Sequence, residues 1–378
     1  MTTSQPTPRR SRSLRSTITA DGHLTLSLQE RELPELAADE VLVAVEASPI
    51  NPSDIAVLLG PVAPEALEAE SGTLTAAVPE AALGLFRDRL GKPLPIGNEG
   101  AGTVVITGAD ATELLGARVA LFGGSMWADY RVASGSGVLV LPESVSTAAG
   151  ASLFVNPLTA LSMVETMRAE GHHALVHTAA ASNLGQMLVR ICAADGVGLV
   201  NVVRRPEQVE LLRGLGAEFV VDSSAASFRE ELTDAIRATG ATLAFDAIGG
   251  GTLAGDILGA MERAQPPLAS YTPYGSPVLK QVYIYGALDF SPTVLRRTFG
   301  LTWGVGGYLL TNALGRLGGE AVERMRARVL AEATTTFASH YARTVGLGDL
   351  LDPAVLAAVA ERRTGSKYLI DPSRDRAG

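Results

Sequence analysis

The stretch HTAAASNLGQ, residues 177–186, stands between two runs of different character. Before it, ALVHT is a short, almost wholly apolar run. After it, SNLGQMLVRICAADG has apolar residues at helical spacing. A strand that turns sharply into a helix is how a dinucleotide-binding unit opens, and the turn needs small residues. It must be tight, the backbone must approach a pyrophosphate, and the helix must pack closely on the strand. The usual pattern is G-x-G-x-x-G. Here its slots hold Ala180, Ser182 and Gly185. With two glycines replaced, the motif alone suits a plain strand–turn–helix of another α/β protein equally well. Its context favours the dinucleotide reading, with the amides of Asn183, Leu184 and Gly185 at the helix start offered to a phosphate.

Outward from the loop, strands and helices alternate. GLVNVV (198–203), EFVVD (218–222), TLAFDAI (242–248) and QVYIYGAL (281–288) read as strands. RPEQVELLRGLG (205–216), SFREELTDAIRATG (227–240) and GTLAGDILGAMERA (251–264) read as helices. This alternation predicts an α/β fold with a doubly wound parallel sheet. The end of the strand after the loop discriminates between cofactors. NAD(H) calls for an acid there, whereas Arg204 and Arg205 stand there in this chain, and arginine forks suit a 2′-phosphate. The expected cofactor is NADP(H). Ile248 and Gly249 follow another strand, where such a fold lets the cofactor pass. Tyr285, Gly286 and Ala287 end a further one, where a nicotinamide contact is expected.

The first half has a different rhythm. HLTLSL (23–28) and VLVAVEA (41–47) alternate as strands about a polar turn, and SPINPSDIAVLLG (48–60) is a Pro-broken turn leading into a short helix. Residues 61–94 read as an insertion with helical turns from Pro79 to Leu90. Short strands resume over 95–141, the pattern of a small, partly closed β-barrel. STAAGASLFVNPLTALSMVETM (146–167) reads as a helix broken at Asn156–Pro157. After about residue 300 the pattern is helical, and KYLI (367–370) closes as a strand.

Composition narrows the function. Of 378 residues, 47% are apolar and 19% charged, enough for sizeable cores in two domains. The net charge of -9 disfavours a nucleic-acid partner. The single cysteine, Cys192, excludes an internal disulfide framework and a multi-cysteine zinc lobe. No apolar run is long enough for a transmembrane helix. The N-terminal MTTSQPTPRRSRSLRST lacks the apolar segment of a secretory signal. It is expected to be a frayed polar tail on a cytoplasmic protein, although its lack of acids also mimics a transit peptide.

INPSD (50–54), GNEGAG (97–102), NPLTA (156–160), AAASNLG (179–185) and LGAEFVVD (215–222), in that order, resemble the medium-chain dehydrogenase/reductase superfamily. Within it the chain looks like the zinc-independent branch of quinone oxidoreductases and enoyl reductases, over about residues 20–372. The resemblance implies a GroES-like β-barrel catalytic domain at 1–157, a Rossmann NADP(H)-binding domain at 158–304, and a return to the catalytic domain at 305–378. It also implies a homodimer formed through edge strands. YIYGALDFSPT (283–293), TWGVGGYLL (302–310) and TGSKYLI (364–370) look like bacterial NADPH:quinone oxidoreductases. NPLTA and NVVR resemble mitochondrial-type 2-enoyl thioester reductases, but the tyrosine those enzymes use as proton donor is missing from LLGPVAPEALEAE (58–70).

The zinc enzymes of the superfamily carry a His where this chain has Asn98, and a Cys where it has none before Cys192. His23, His172, His173, His177 and His340 are not spaced as a ligand set, so no metal is expected. By resemblance, Asn51 and Thr159 line the nicotinamide cleft. Asn51 also reads as a turn residue before Pro52, and Thr159 as a helical hydroxyl bonding backwards. Asn156 either opens the cleft or caps the helix. Lys367 either reaches the 2′-phosphate or lies on the surface. For a proton donor the loop SYTPYGS offers Tyr271 and Tyr274, with aromatic packing as their alternative role.

The expected reaction is metal-independent hydride transfer from NADPH to a quinone or conjugated enone, acceptors already electrophilic enough to need no Lewis acid. Two other readings stay open: a 2-enoyl thioester reductase, and an NADPH-binding sensor or interaction protein with little catalysis.

Overall fold

The computed structural model describes residues 8–375, apart from 268, 269, 271, 362–364 and 366. The chain divides into two units. Met1–Val155 with Ala333–Gly378 form the first, and Asn156–Glu332 the second.

The first unit is built from strands. β1 (Arg10–Ile18), β2 (His23–Glu32) and β3 (Glu40–Pro49) are followed by β4 (Glu68–Glu70), β5 (Thr73–Ala77) and β6 (Leu94–Pro95). Then come β7 (Glu99–Thr107), β8 (Arg118–Phe122), β9 (Tyr130–Ser134) and β10 (Leu139–Val140). Alternation along β1 and β2 turns Leu14, Ile18, Leu24 and Leu26 into the core, all fully buried.

The second unit holds β11 (Ala174–Thr178), β12 (Gly198–Val203), β13 (Phe219–Asp222) and β14 (Leu243–Asp246). It continues with β15 (Gly249–Gly251), β16 (Lys280–Ile284), β17 (Asp289–Thr293) and β18 (Trp303–Gly307). The chain then returns to the first unit with β19 (Arg343–Val345) and β20 (Tyr368–Ile370).

The first unit has two sheets. One runs β4-β5-β2-β1-β6. The other runs β10-β8-β7-β3-β20-β19, with β9 also on β3. The second unit has a six-stranded sheet ordered β13-β12-β11-β14-β16-β18, parallel throughout, and β15 pairs with β17 beside it. The strand order reverses between β11 and β14, the switch point outside which an open α/β sheet forms its crevice. All five residues of β11 are buried, as expected of a central strand with both faces covered.

Four readings of the sequence change here. The polar tail does not fray from residue 10 onward: Arg10–Ile18 pairs along its whole length with β2, because Leu14, Ser16 and Ile18 face inward although Arg15 and Thr17 stand between them. The 61–94 insertion does form helical turns, Glu80–Leu83 and Gly84–Arg89, but it also contains the hairpin β4–β5, which extends the β2 sheet. Asn156–Pro157 does not break a helix. Helix Val155–Ala169 begins one residue earlier, and a proline in the first turn forfeits no intrahelical bond. Residues 305–332, expected in the returning segment, belong to the second unit. There Tyr308 Oη bonds Ser162 and Thr166, and Arg328 pairs with Asp195.

Candidate functional site

In the second unit, β11 ends at Thr178 and the chain turns through Ala179, which has a φ of 49°. Ser182 caps helix Asn183–Asp195, its Oγ accepting from the Gly185 amide at 3.2 Å. Ala180 and Ala181 are fully covered. Gly185 tolerates no side chain, since a Cβ there would lie 2.1 Å from the Ala180 carbonyl oxygen. That is the close helix–strand approach the third glycine of a dinucleotide loop provides. The alanine and serine in the other slots are compatible with the same turn, so the loop and helix N-terminus suit a pyrophosphate.

Asp246 organises the next strand end. Its Oδ1 accepts from Thr178 Oγ1 at 2.7 Å and from the Ile248 amide at 2.9 Å, and its Oδ2 from the Gly249 amide at 3.1 Å. The Ala247 amide donates to Thr178 Oγ1. Asp246 thus ties the β14 turn to the end of β11 and fixes Ile248 and Gly249 at the sheet's carboxyl edge. Gly286 and Ala287 follow β16 at the same edge, where the Leu288 amide donates to the Ala247 carbonyl. The Tyr285 hydroxyl pairs with His177 Nε2 at 2.8 Å, and the two rings stack. Burial pushes His177 down to about 3 and the Tyr285 phenol up.

Arg204 and Arg205 follow β12, both exposed. Arg205 sits 3.8 Å from Glu207, and the Arg204 amide bonds Gln208 Oε1. Their position could serve a 2′-phosphate. Asn156 lies in the first turn of helix Val155–Ala169, and Thr159 is buried in the next, its carbonyl accepting from Ser162 Oγ. Tyr271 lies outside the described residues, and Tyr274 is exposed.

In the first unit a buried polar cluster joins two of the motifs. Asn51 precedes helix Pro52–Leu59, and its amide donates to Asp54 Oδ2 at 2.9 Å. Asp54 Oδ1 accepts the Asn98 amide at 2.9 Å, so one carboxylate holds INPSD and GNEGAG together. Gly97, at a φ of 94°, makes this possible, because a Cβ there would meet Trp127 Cδ1 at 2.4 Å. Asn51 Nδ2 donates to Glu99 Oε1 at 2.9 Å. Glu99 Oε2 accepts the amides of Phe154 and Val155, capping the start of helix Val155–Ala169 with a carboxylate. Asp54 and Glu99 are wholly buried, and burial pushes Asp54 up to about 7 and Glu99 above its ordinary range. Lys367 belongs to this cluster, its Nζ donating to Ser152 Oγ at 2.9 Å.

Sequence reasoning overlooked Asp54 and Glu99 although both stand inside quoted motifs. An acid flanked by apolar or small residues was the available signal. Ser152 and Tyr341, 2.6 Å apart across 189 residues of chain, gave none.

The residues present do not fit a catalytic zinc. Asn98 spends its side-chain amide on Ser53 Oγ, and among the described residues no three His, Cys, Asp or Glu side chains are grouped to hold a metal. Also among the described residues, no helix is long and apolar enough to cross a membrane.

The family model described as zinc-binding dehydrogenase matches residues 183–263. Human mitochondrial enoyl-[acyl-carrier-protein] reductase is 30% identical over 207 residues, 52% of this chain and 48% of that protein, so the chain spans about half the length of the curated relatives it matches. A Mesorhizobium loti structure provisionally named an NADPH:quinone reductase is 26% identical with a TM-score of 0.73, covering 97% of this chain and 100% of that one. A Bacillus thuringiensis structure with the same provisional name is 20% identical with a TM-score of 0.73, covering 96% and 99%. Parallel sheet order, loop geometry and these similarities agree in supporting the medium-chain dehydrogenase/reductase superfamily for this chain.

Proposed function

We propose that this protein is an NADPH-dependent oxidoreductase that reduces a quinone or a conjugated enone without a metal. The observation carrying the proposal is the turn at Ala180–Gly185, where Gly185 is pressed against the Ala180 carbonyl, with two exposed arginines at the end of the adjacent strand. When bound, a dihydronicotinamide supplies a hydride to an electrophilic acceptor. The chain's own residues have simpler tasks. The first-turn amides of Asn183 and Leu184 would hold the pyrophosphate, while the Gly185 amide is capped by Ser182. Arg204 and Arg205 hold the 2′-phosphate, as guanidinium forks do. Ile248, Gly249, Gly286 and Ala287 form the strand-end edge over which the cofactor would lie, with Asp246 fixing its shape. The resemblance to a quinone reductase along the full length of both chains supports this acceptor class.

A second reading, reduction of an enoyl thioester, is supported by the 30% identity to the human mitochondrial enoyl reductase. A cytoplasmic homodimer is part of the first reading, and light scattering tests the assembly. The deciding experiment follows NADPH and NADH oxidation by the purified protein with small quinones, conjugated enones and enoyl-CoA thioesters. Turnover of quinones or enones with NADPH is expected. Turnover of enoyl-CoA alone overturns the first reading in favour of the second. Tight NADPH binding without any turnover favours a sensor.

A further inference from the structure

Three arginines line one cavity of the second unit. The cavity has a volume of about 250 Å³ and lies between helix Phe228–Thr239, helix Leu253–Ala264 and the segment that follows β17. Each of the three elements contributes one arginine, Arg229, Arg263 and Arg296 in that order. One carboxylate, Asp256, shares the lining with them. Both of its oxygens are committed. Oδ1 accepts from Arg229 Nε at 2.9 Å, and Oδ2 from Thr252 Oγ1 at 2.9 Å. Arg229 is thereby neutralised. Among the described residues, neither Arg263 nor Arg296 forms an ion pair.

Arg263 is held in place by a neutral partner. Its Nε and Nη2 donate to Thr233 Oγ1 at 3.3 and 3.2 Å, and that hydroxyl donates to the Arg229 carbonyl at 2.7 Å. The remaining nitrogen, Nη1, stands over Gly259, 3.1 Å from where a Cβ on that glycine would lie. Nη1 has no hydrogen-bond partner among the described residues. A side chain at 259 would crowd both Arg263 Nη1 and Thr298 Oγ1, so the bare glycine keeps this corner of the cavity open. Two unneutralised guanidinium groups facing one space repel each other and favour an anion between them.

The charge selects the anion. A carboxylate brings one negative charge and two oxygens. A phosphoryl group brings about −1.5 to −2 at pH 7 and three acceptor oxygens, which matches two guanidinium forks. The volume is several times the roughly 30 Å³ that a water molecule takes in the liquid, so an organic remainder fits beside the phosphoryl group. Val294 offers that remainder apolar surface.

We propose that this cavity binds the phosphoryl group of a small phosphorylated molecule, held by Arg263 and Arg296, with the Arg229–Asp256 pair as one wall. None of these residues is among those proposed to hold the cofactor, so the site is a second one.

The test uses the full chain carrying Arg204→Asp and Arg205→Asp, which removes the arginines that compete for phosphate beside the cofactor loop. Calorimetric titration compares inorganic phosphate, ribose 5-phosphate and uncharged ribose. Both phosphates are expected to bind, and ribose is not. Tighter binding of the ester assigns an organic phosphate, and equal binding of the two assigns the free anion. In that background Arg263→Gln and Arg296→Gln are each expected to weaken phosphate binding about tenfold or more. Arg296→Gln breaks no side-chain hydrogen bond among the described residues, so its result is independent of the Thr233 contacts that Arg263 makes. In the unsubstituted chain, modification by phenylglyoxal mapped by mass spectrometry should show ribose 5-phosphate protecting Arg263 and Arg296.

Unaltered affinity in both glutamine variants overturns the proposal. Protection confined to Arg204 and Arg205 overturns it too, because the phosphoryl group then sits at the cofactor loop alone. Ribose binding as tightly as its phosphate, or no binding of either phosphate at millimolar concentration, has the same consequence.

Discussion

His177 Nε2 on β11 and the Tyr285 hydroxyl just past the end of β16 are 2.8 Å apart in the second unit, although β14 separates the two strands in the sheet. The pair leaves His177 Nδ1 buried with no hydrogen-bond partner among the described residues. Tyr285→Phe removes the remaining partner of the ring at almost constant volume. The variant should lose about 1–3 kcal/mol of stability in urea unfolding. With His177 pushed down to about 3, the folded protein binds fewer protons here than the unfolded chain as pH falls below about 6.5, so this site withdraws stability on acidification. Unfolding free energies from pH 7 to pH 5 in wild type and His177→Phe check the sign: the acid slope should be shallower in the variant.

Gly185 is the tightest point of the loop. Gly185→Val places a branched side chain where even a Cβ would lie 2.1 Å from the Ala180 oxygen, so the helix must move away from the strand. Thermal melting with and without NADPH should show a lower midpoint and loss of the NADPH-induced rise. A full NADPH response in this variant would place the cofactor elsewhere.

Asp54 predicts the opposite pH trend. Its folded value of about 7 lies above the ordinary 3.8, so the folded state holds the extra proton between those limits. Stability from this group is present below about pH 4 and is lost as pH rises toward 7, by up to about 4 kcal/mol. Asp54→Asn should remove that decline, which urea titrations at pH 4.5, 6 and 7.5 would reveal.

Arg204→Asp should weaken NADPH binding by at least about tenfold and leave NADH binding almost unchanged. Equilibrium fluorescence titration with both nucleotides decides it. Equal weakening of both removes the 2′-phosphate assignment.

Exhaustive chelation followed by metal-free assay should leave quinone reduction unaltered. Asn98 already donates to Ser53, so the position that holds a histidine in the zinc enzymes is spent on a protein partner. Activity restored by zinc alone would refute the metal-free chemistry.

The parallel sheet was legible because its strands are continuous apolar runs with helical runs between them. The loop was legible because only small residues fit its turn. The barrel was harder to read. Arg10–Ile18 carries arginines at 10, 12 and 15 among serines and reads as a tail until β2 is laid beside it. Asp54 and Glu99 were visible as letters in two motifs, but their burial depends on Gly97, Trp127 and the start of helix Val155–Ala169 coming together. Tyr285 was assigned by position at a strand end, and position alone does not reveal that its hydroxyl meets His177. Lys367 was pictured as a free arm. Its hydrogen bond to Ser152 spans 215 residues, beyond any local pattern.

Strand β20 has a consequence for biosynthesis. Its residues Leu369 and Ile370 pair with Pro49 and Ser48 of β3, in the sheet that also carries β7 and β8. The parallel sheet of the other unit needs nothing beyond Gly307. On a ribosome, then, the inserted unit has every strand available while the unit enclosing it still lacks its closing pair. The nascent chain must keep the Ser48–Pro49 end of β3 open until Leu369 and Ile370 emerge, a window in which a chaperone or a mispaired strand competes for the same hydrogen bonds.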